Sequence, residues 1–144
     1  MFDGCSVAVV NGAGGPALIR NYDFDPRFTG SLILRSNWSG RSVIELEQGF
    51  WGLLDGINDD GLAVCLTFGW RRVHGKGISV LLVVRYILET CGTAAEARDK
   101  LLHLRTPMQQ SVVVLDASGE HFTALMAPDR KTCLLYTSPS PRDS

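Results

Sequence analysis

Alternation of apolar and polar residues dominates the first half of the chain and predicts antiparallel strands. The first two runs, residues 5–11 and 16–24, are separated by glycines that suit a hairpin loop. Four further strand candidates end at turn-forming residues, namely 29–36, 41–47, 50–54 and 61–68. Residues 55–61 are rich in Asp, Asn and Gly and are predicted to form a loop.

Helical spacing replaces this alternation in the second half. Apolar residues over 81–91 recur at intervals of three and four and predict an amphipathic helix. Thr93 and Glu96 form a capping-box signature for a second helix. Strands then return at 111–115 and 121–126. Strands, two helices and strands again indicate a single α+β domain.

The predicted hairpin brings a thiol and two charged groups together. Its second strand returns antiparallel, so Arg20 and Asp23 at the end of that strand lie close to Cys5 at the start of the first. A neighbouring cation favours the thiolate, which is the nucleophilic form of cysteine. Two interpretations follow from the hairpin: a nucleophile site, or a structural cysteine beside a surface ion pair.

Composition narrows the class of protein. The chain has 144 residues, a formal net charge of −1, 45% hydrophobic and 20% charged residues, which is typical of a soluble globular domain. This balance indicates neither nucleic-acid nor membrane binding, and no apolar run approaches the roughly 18 residues of a membrane span. The four cysteines lack metal-ligand or CxxC spacing, so we expect no metal and a reducing, cytoplasmic location.

Two motifs, in order along the chain, resemble one enzyme family. Gly-Cys-Ser at residues 4–6 is followed by Arg-Asn-Tyr-Asp at 20–23, and Gly-Ile-Asn-Asp-Asp-Gly-Leu-Ala occupies 56–63. Together they resemble the acyl-CoA:6-aminopenicillanate acyltransferase-like group of cysteine N-terminal nucleophile (Ntn) hydrolases, related to choloylglycine hydrolases. The resemblance runs over residues 2–130. It implies the N-terminal part of a four-layer αββα sandwich with antiparallel sheets.

The resemblance also implies a chemistry. A Cys5 exposed by autoproteolysis would cleave or transfer acyl groups through a thioester, without a cofactor, on a small-molecule acyl amide or acyl-CoA-type substrate. Asp23 would anchor the new α-ammonium group, and Arg20 would stabilise the thiolate or acyl group. Asn58 would donate to the oxyanion, although a turn asparagine is the alternative. Ser111 stands where relatives usually have a catalytic Asn.

Because Ser111 replaces the Asn that relatives usually have, other functions remain open. A hydroxyl donates one hydrogen bond but reaches less far than an amide, and strand alternation would turn Gln110 to the opposite side. One alternative is a catalytically inert fragment or a binding relative of the same fold. Another is an unrelated small α+β binding domain in which Cys5 is structural.

The last residues differ from the rest of the chain. Residues 133–144 follow neither period and are rich in Ser and Pro. They resemble translated sequencing-adapter read-through, which predicts a partial domain over 1–132, a disordered non-native tail, and a bacterial metagenomic or draft source. A natural disordered tail is the alternative. A domain cut near Thr132 would leave one sheet face uncovered, so we expect it to be poorly stable.

Overall fold

Nine strands and two helices form the described part of the molecule. The computed structural model describes residues 4–23, 25, 27, 32–69 and 71–136. The elements are β1 (Gly4–Gly12), β2 (Gly15–Asp23), β3 (Ile33–Ser36), β4 (Val43–Gln48), β5 (Gly52–Asn58), β6 (Ala63–Phe68), α1 (Val80–Thr90), α2 (Ala94–Leu101), β7 (Gln110–Leu115), β8 (His121–Met126) and β9 (Cys133–Leu135). The predicted α+β class with antiparallel sheets is confirmed.

The strands divide into a hairpin and one large sheet. Strands β3 to β9 pair in sequence order as a seven-stranded antiparallel sheet, and β1 pairs only with β2. Asp55 of β5 bonds to Arg20 of the hairpin, whereas a side chain at Gly56 would meet Leu88 of α1. Because successive strand residues face opposite sides, the hairpin and the helices cover opposite faces of the sheet.

The hydrophobic core lies between the sheet and the helices. Fully buried residues line the inner faces of α1 and of the central strands, among them Val64, Val84, Ile87, Leu88, Val112, Val114 and Phe122. The approach of helix and sheet is closest at Gly52, where an added Cβ would overlap Leu81 Cβ of α1. Glycine is therefore required at this position for α1 to pack on the sheet.

Both predicted helices are present. The first runs from Val80 to Thr90, close to the predicted 81–91. The second begins at the predicted cap, where the Glu96 backbone N–H donates to Thr93 Oγ1 (3.2 Å). The reciprocal bond of the capping box is displaced by one residue, since Glu96 Oε2 accepts from the N–H of Gly92, the residue before the N-cap (2.7 Å). With 11 residues, α1 is too short to cross a bilayer, and no other helix of the described residues is long and apolar enough.

The predicted loop over 55–61 is wrong for its first half. Residues 55–58 continue β5 and pair with β4 and β6, and the turn is confined to Asp59 and Asp60. Asp55 and Gly56 are poor strand formers. Here tertiary contacts outweigh that preference, because Arg20 neutralises Asp55 and α1 packs tightly on Gly56.

Ordered structure also extends beyond Thr132. Cys133–Leu135 pair with β8 as β9, Leu134 packs against the core, and the Tyr136 ring centroid lies 6.2 Å from that of Phe122. The prediction of disorder is therefore wrong for residues 133–136, where the strand pairing of β9 is accompanied by apolar contacts of Leu134 and Tyr136. Residues 137–144 lie outside the described residues. So do residues 29–31, at the start of the strand predicted over 29–36. The adapter origin and the boundary at 132 stay predictions.

Candidate active site

The hairpin register places Cys5 next to Arg20. Cys5 lies opposite Tyr22, and Val7 lies opposite Arg20, so these side chains share the face that points to the large sheet. The Arg20 Nη2 atom is 3.7 Å from Cys5 Sγ, within hydrogen-bonding distance of sulfur. Alternation and turn chemistry predicted this proximity from sequence.

Arg20 is fixed by contacts on three sides. Its Nη1 donates to Asp55 Oδ2 at 2.6 Å, and its guanidinium carbon lies 4.5 Å above the Tyr22 ring. The Arg20 side chain is 5% exposed and that of Asp55 is 30% exposed. Arg20 therefore pairs with Asp55, and the alternative of a surface ion pair with Asp23 is wrong. Asp55 and Tyr22 thus hold the guanidinium beside the thiol.

Asp23 occupies the other side of the same strand end. It pairs with Gly4 in the hairpin register, and its carboxylate accepts a hydrogen bond from Asn21 Nδ2 at 2.8 Å. The residue is exposed and lines the same cavity as Cys5. An amino group created at Cys5 would begin one residue from Gly4, close to this carboxylate.

A cavity of about 630 Å³ opens beside Cys5. Strands β5 and β6 pair only over Asp55–Ile57 and Ala63–Cys65, so 52–54 and 66–68 diverge and leave a split in the sheet. The cavity wall includes Cys5 from the hairpin and Val80 from α1, which lie on opposite faces of the sheet. The cavity therefore passes through the split. Its remaining lining is mainly apolar, with Arg71, Arg72 and His74 from the loop before α1.

Asn58 does not take part in this cavity. Its Nδ2 donates to the carbonyl oxygens of Leu88 (2.9 Å) and Cys91 (2.7 Å), and its Oδ1 accepts from the N–H groups of Leu62 (3.0 Å) and Asp60 (3.2 Å). It is 5% exposed and lies on the helix face of the sheet. In this structure both amide protons of Asn58 therefore hold the end of α1, and its role as an oxyanion donor stays a prediction.

Gln110, and not Ser111, lines the cavity beside Cys5. Ser111 lies in β7 opposite Thr67 and Leu125, and the described cavity wall includes Gln109 and Gln110 but not Ser111. Gln110 does face the helix side, as alternation predicts. The split between β5 and β6 nevertheless opens that side to the Cys5 cavity. The structure thus does not bring Ser111 into the cavity.

Cys65 and Cys91 are core residues. Both are fully buried, and burial raises the pKa of the Cys65 thiol to about 12 and also raises the pKa of Cys91. Cys65 is therefore protonated at neutral pH. Cys5, by contrast, is half-buried and reaches the cavity. Within the described ranges, no group of three or more His, Cys, Asp or Glu residues could hold a metal ion.

Sequence reasoning missed Asp55 and Gln110. Asp55 stands between apolar residues and inside the second family motif. A carboxylate flanked in this way usually has a cationic partner, which was a signal that a basic side chain lies close to it. No comparable signal marked Gln110, because its access to the cavity depends on the divergence of two other strands.

Comparison with known proteins identifies the family. A search of curated proteins found no match. The family model described as acyl-coenzyme A:6-aminopenicillanic acid acyl-transferase matches residues 10–141. This stretch includes Arg20, Asp23 and Ser111 and begins after Cys5. Since the match spans far more than half of the 144 residues, the chain belongs to the acyl-coenzyme A:6-aminopenicillanic acid acyl-transferase family, and membership implies acyltransferase or hydrolase chemistry.

Proposed function

We propose that this protein is a cysteine-dependent amide hydrolase or acyltransferase whose nucleophile is Cys5. One observation carries the proposal: the Cys5 thiol lines a cavity of about 630 Å³ with the buried Arg20 guanidinium 3.7 Å from its sulfur. A thiol beside a fixed cation, open to a substrate-sized cavity, suits nucleophilic catalysis. Family membership supports acyl chemistry at such a site.

Maturation comes first: water hydrolyses the Gly4–Cys5 peptide bond, residues 1–4 leave with a new carboxylate on Gly4, and Cys5 keeps a free α-amino group. That amine takes the thiol proton, and the sulfur attacks the substrate's carbonyl carbon. The carbonyl–nitrogen bond then breaks, and the leaving amine takes the proton from the α-ammonium group. The acyl group remains on sulfur as a thioester. Water releases it as an acid, or a second amine accepts it.

Two charged residues support these steps. Asp23, opposite Gly4 across the hairpin, orients the α-ammonium group of the processed Cys5. Arg20, held by Asp55, stabilises negative charge on the sulfur or on the acyl oxygen.

The cavity suggests the substrate class. Its lining is mostly apolar, with Leu54, Leu66, Phe68, Val80 and Leu81 among its residues, which suits the acyl chain of an acyl amide or acyl-CoA-type donor. The family also supports a four-layer sandwich for the fold, in which the β1–β2 hairpin belongs to a second sheet facing the seven-stranded one.

Intact mass spectrometry tests the proposal on the 144-residue chain. A Cys133→Ser background removes an exposed thiol that would react without any site. We expect a chain that begins at Cys5 and that gains one acyl group on incubation with a thioester or activated acyl donor. Cys5→Ala should abolish both changes.

Cys65→Ala provides the matched control, because Cys65 is buried and protonated at neutral pH. It should leave processing and acylation intact in the folded protein. A chain that keeps residues 1–4 and takes up no acyl group would contradict the proposal and favour a binding role.

A further inference from the structure

Gln110 is a polar residue buried in the wall of the Cys5 cavity. It is 5% exposed, and its Oε1 has no hydrogen-bond partner among the described residues. Its Nε2 likewise donates to no described residue. Buried amides are almost always hydrogen-bonded, so a carboxamide with both functions unused needs an explanation.

Its neighbour Gln109 shows the usual arrangement. Gln109 also lines the cavity, but its Oε1 accepts a hydrogen bond from the Arg71 backbone N–H at 2.8 Å. That bond holds the loop before α1 against β7. Of these two adjacent glutamines, Gln109 is used by the protein itself and Gln110 is left free beside the cavity.

The group that would satisfy Gln110 is another amide. A carboxamide accepts at oxygen and donates at nitrogen, and a half-turn of its terminal bond exchanges the two atoms. A secondary amide in the cavity offers the complementary N–H and C=O. An ester or a tertiary amide lacks the N–H and leaves the glutamine oxygen unpaired, which penalises binding.

We propose that Gln110 is a specificity residue that binds the substrate's amide group, so that the cavity selects secondary acyl amides over tertiary amides and esters of the same acyl chain. The inference rests on the proposed function, since it takes the Cys5 cavity as the substrate site. Gln110 acts through binding, and no step of the chemistry at sulfur is assigned to it.

Binding can be measured separately from turnover. In a Cys5→Ala background of the whole chain, the probes are N-ethyloctanamide, its N-methylated derivative and ethyl octanoate. We expect the secondary amide to bind about 10-fold more tightly than the other two, the size of one net hydrogen bond. Gln110→Met, which keeps the length but removes the amide, should reduce this ratio to near one.

Gln109→Met is the matched control and should retain the roughly 10-fold ratio, provided the protein stays folded. The parent chain gives a second readout, because its three glutamines allow the side-chain NH₂ signal of Gln110 to be assigned by NMR. That signal should move with the secondary amide and not with the ester.

Three results would overturn the assignment: equal binding of all three probes to the parent chain, an unchanged ratio in Gln110→Met, or no binding of any probe. The alanine at position 5 prevents thioester formation in every case. Loss of Cys5 chemistry in the processing experiment and loss of amide selectivity here are therefore distinguishable.

Discussion

Arg20 is the residue on which the arrangement around Cys5 depends. Its side chain is only 5% exposed, and its positive charge is balanced by Asp55 across the gap between hairpin and sheet. Burying a guanidinium is costly unless a carboxylate accompanies it. The ion pair therefore does two things: it attaches the hairpin to β5, and it fixes the guanidinium beside the thiol.

Asp55→Asn tests this coupling. The substitution preserves the shape of the side chain but leaves Arg20 buried with its charge unbalanced. We expect the free energy of unfolding to fall by about 1–3 kcal/mol, less than for a fully buried pair because Asp55 is partly exposed. Urea denaturation of both proteins at pH 7 measures the change.

Asp60→Asn is the matched control. Asp60 pairs with Arg41 near the surface, with side chains 48% and 32% exposed. Exposed pairs of this kind are worth below about 1 kcal/mol. If the free energy of unfolding fell equally in the two variants, the Arg20–Asp55 pair would stabilise the fold no more than an exposed ion pair does.

At the scale of elements, Asp116 joins three parts of the fold. It follows β7, and its Oδ1 accepts from Ser118 Oγ (2.6 Å) and from the N–H groups of Ser118 (2.9 Å) and Glu120 (3.1 Å), which closes the turn to β8. Its Oδ2 accepts from the Ala94 N–H at 3.0 Å, at the start of α2. One carboxylate thus links a strand, a turn and a helix N-terminus.

These hydrogen bonds make stability depend on pH. Burial alone would raise the pKa of Asp116, but the hydrogen bonds from Ser118, Ala94 and Glu120 outweigh it and lower the pKa below its usual range. The stabilisation from Asp116 is therefore complete above the unfolded pKa of about 3.9 and is lost as the pH falls through the lower folded value.

We expect Asp116→Asn to destabilise the protein by about 1–3 kcal/mol at pH 7, because one amide oxygen cannot replace both carboxylate oxygens. The difference from the parent should shrink as the pH falls below about 3.9, because Asp116 of the parent is protonated first in the unfolded chain and then, at the lower folded pKa, in the native protein. Thermal unfolding between pH 7 and pH 2.5 gives both results. Asp99→Asn, an exposed substitution on α2, should show no such convergence. A constant difference across the range would refute the linkage.

At the scale of the whole molecule, the two faces of the sheet are covered unequally. The helix face contains the core, whereas the hairpin covers only part of the other face. A groove of about 640 Å³ lies between hairpin and sheet, and Ile33, Ile44 and Ile57 in its lining are 76%, 54% and 45% exposed. Apolar surface grouped in this way is unusual on a folded monomer.

The native protein should therefore bind the hydrophobic dye ANS through this groove. The double substitution Ile44→Thr with Ile57→Thr should weaken the fluorescence and cost little stability, on the order of 1 kcal/mol, since both side chains are already half exposed. Leu88→Ala, on the buried face, should cost about 2–5 kcal/mol in the free energy of unfolding. Unchanged dye binding in the double variant would place the accessible apolar surface elsewhere.

Local pattern was sufficient for much of the fold and for the central pair of the site. Alternation and helical period gave the element types, and the Thr93–Glu96 spacing gave the start of α2. The antiparallel return of the hairpin placed Arg20 near Cys5, because neighbours within a hairpin are fixed by a short turn. These are contacts between residues close in sequence, whose geometry the backbone periods determine.

Contacts between distant elements were decided only by tertiary packing. The sequence predicted a loop at 55–58, but burial against α1 and pairing with Arg20 made it a strand. Asn58 was expected at the reaction centre, yet α1 ends beside it, and its amide group donates hydrogen bonds to two carbonyl oxygens at that helix end. Gln110 was expected to face away from Cys5, yet the divergence of β5 and β6 opens a cavity that reaches both residues.

Sequence determined which face of its own strand each side chain points to. Only the assembled sheet, hairpin and helix decided what lies on that face, because this depends on where elements far apart in the chain come to rest.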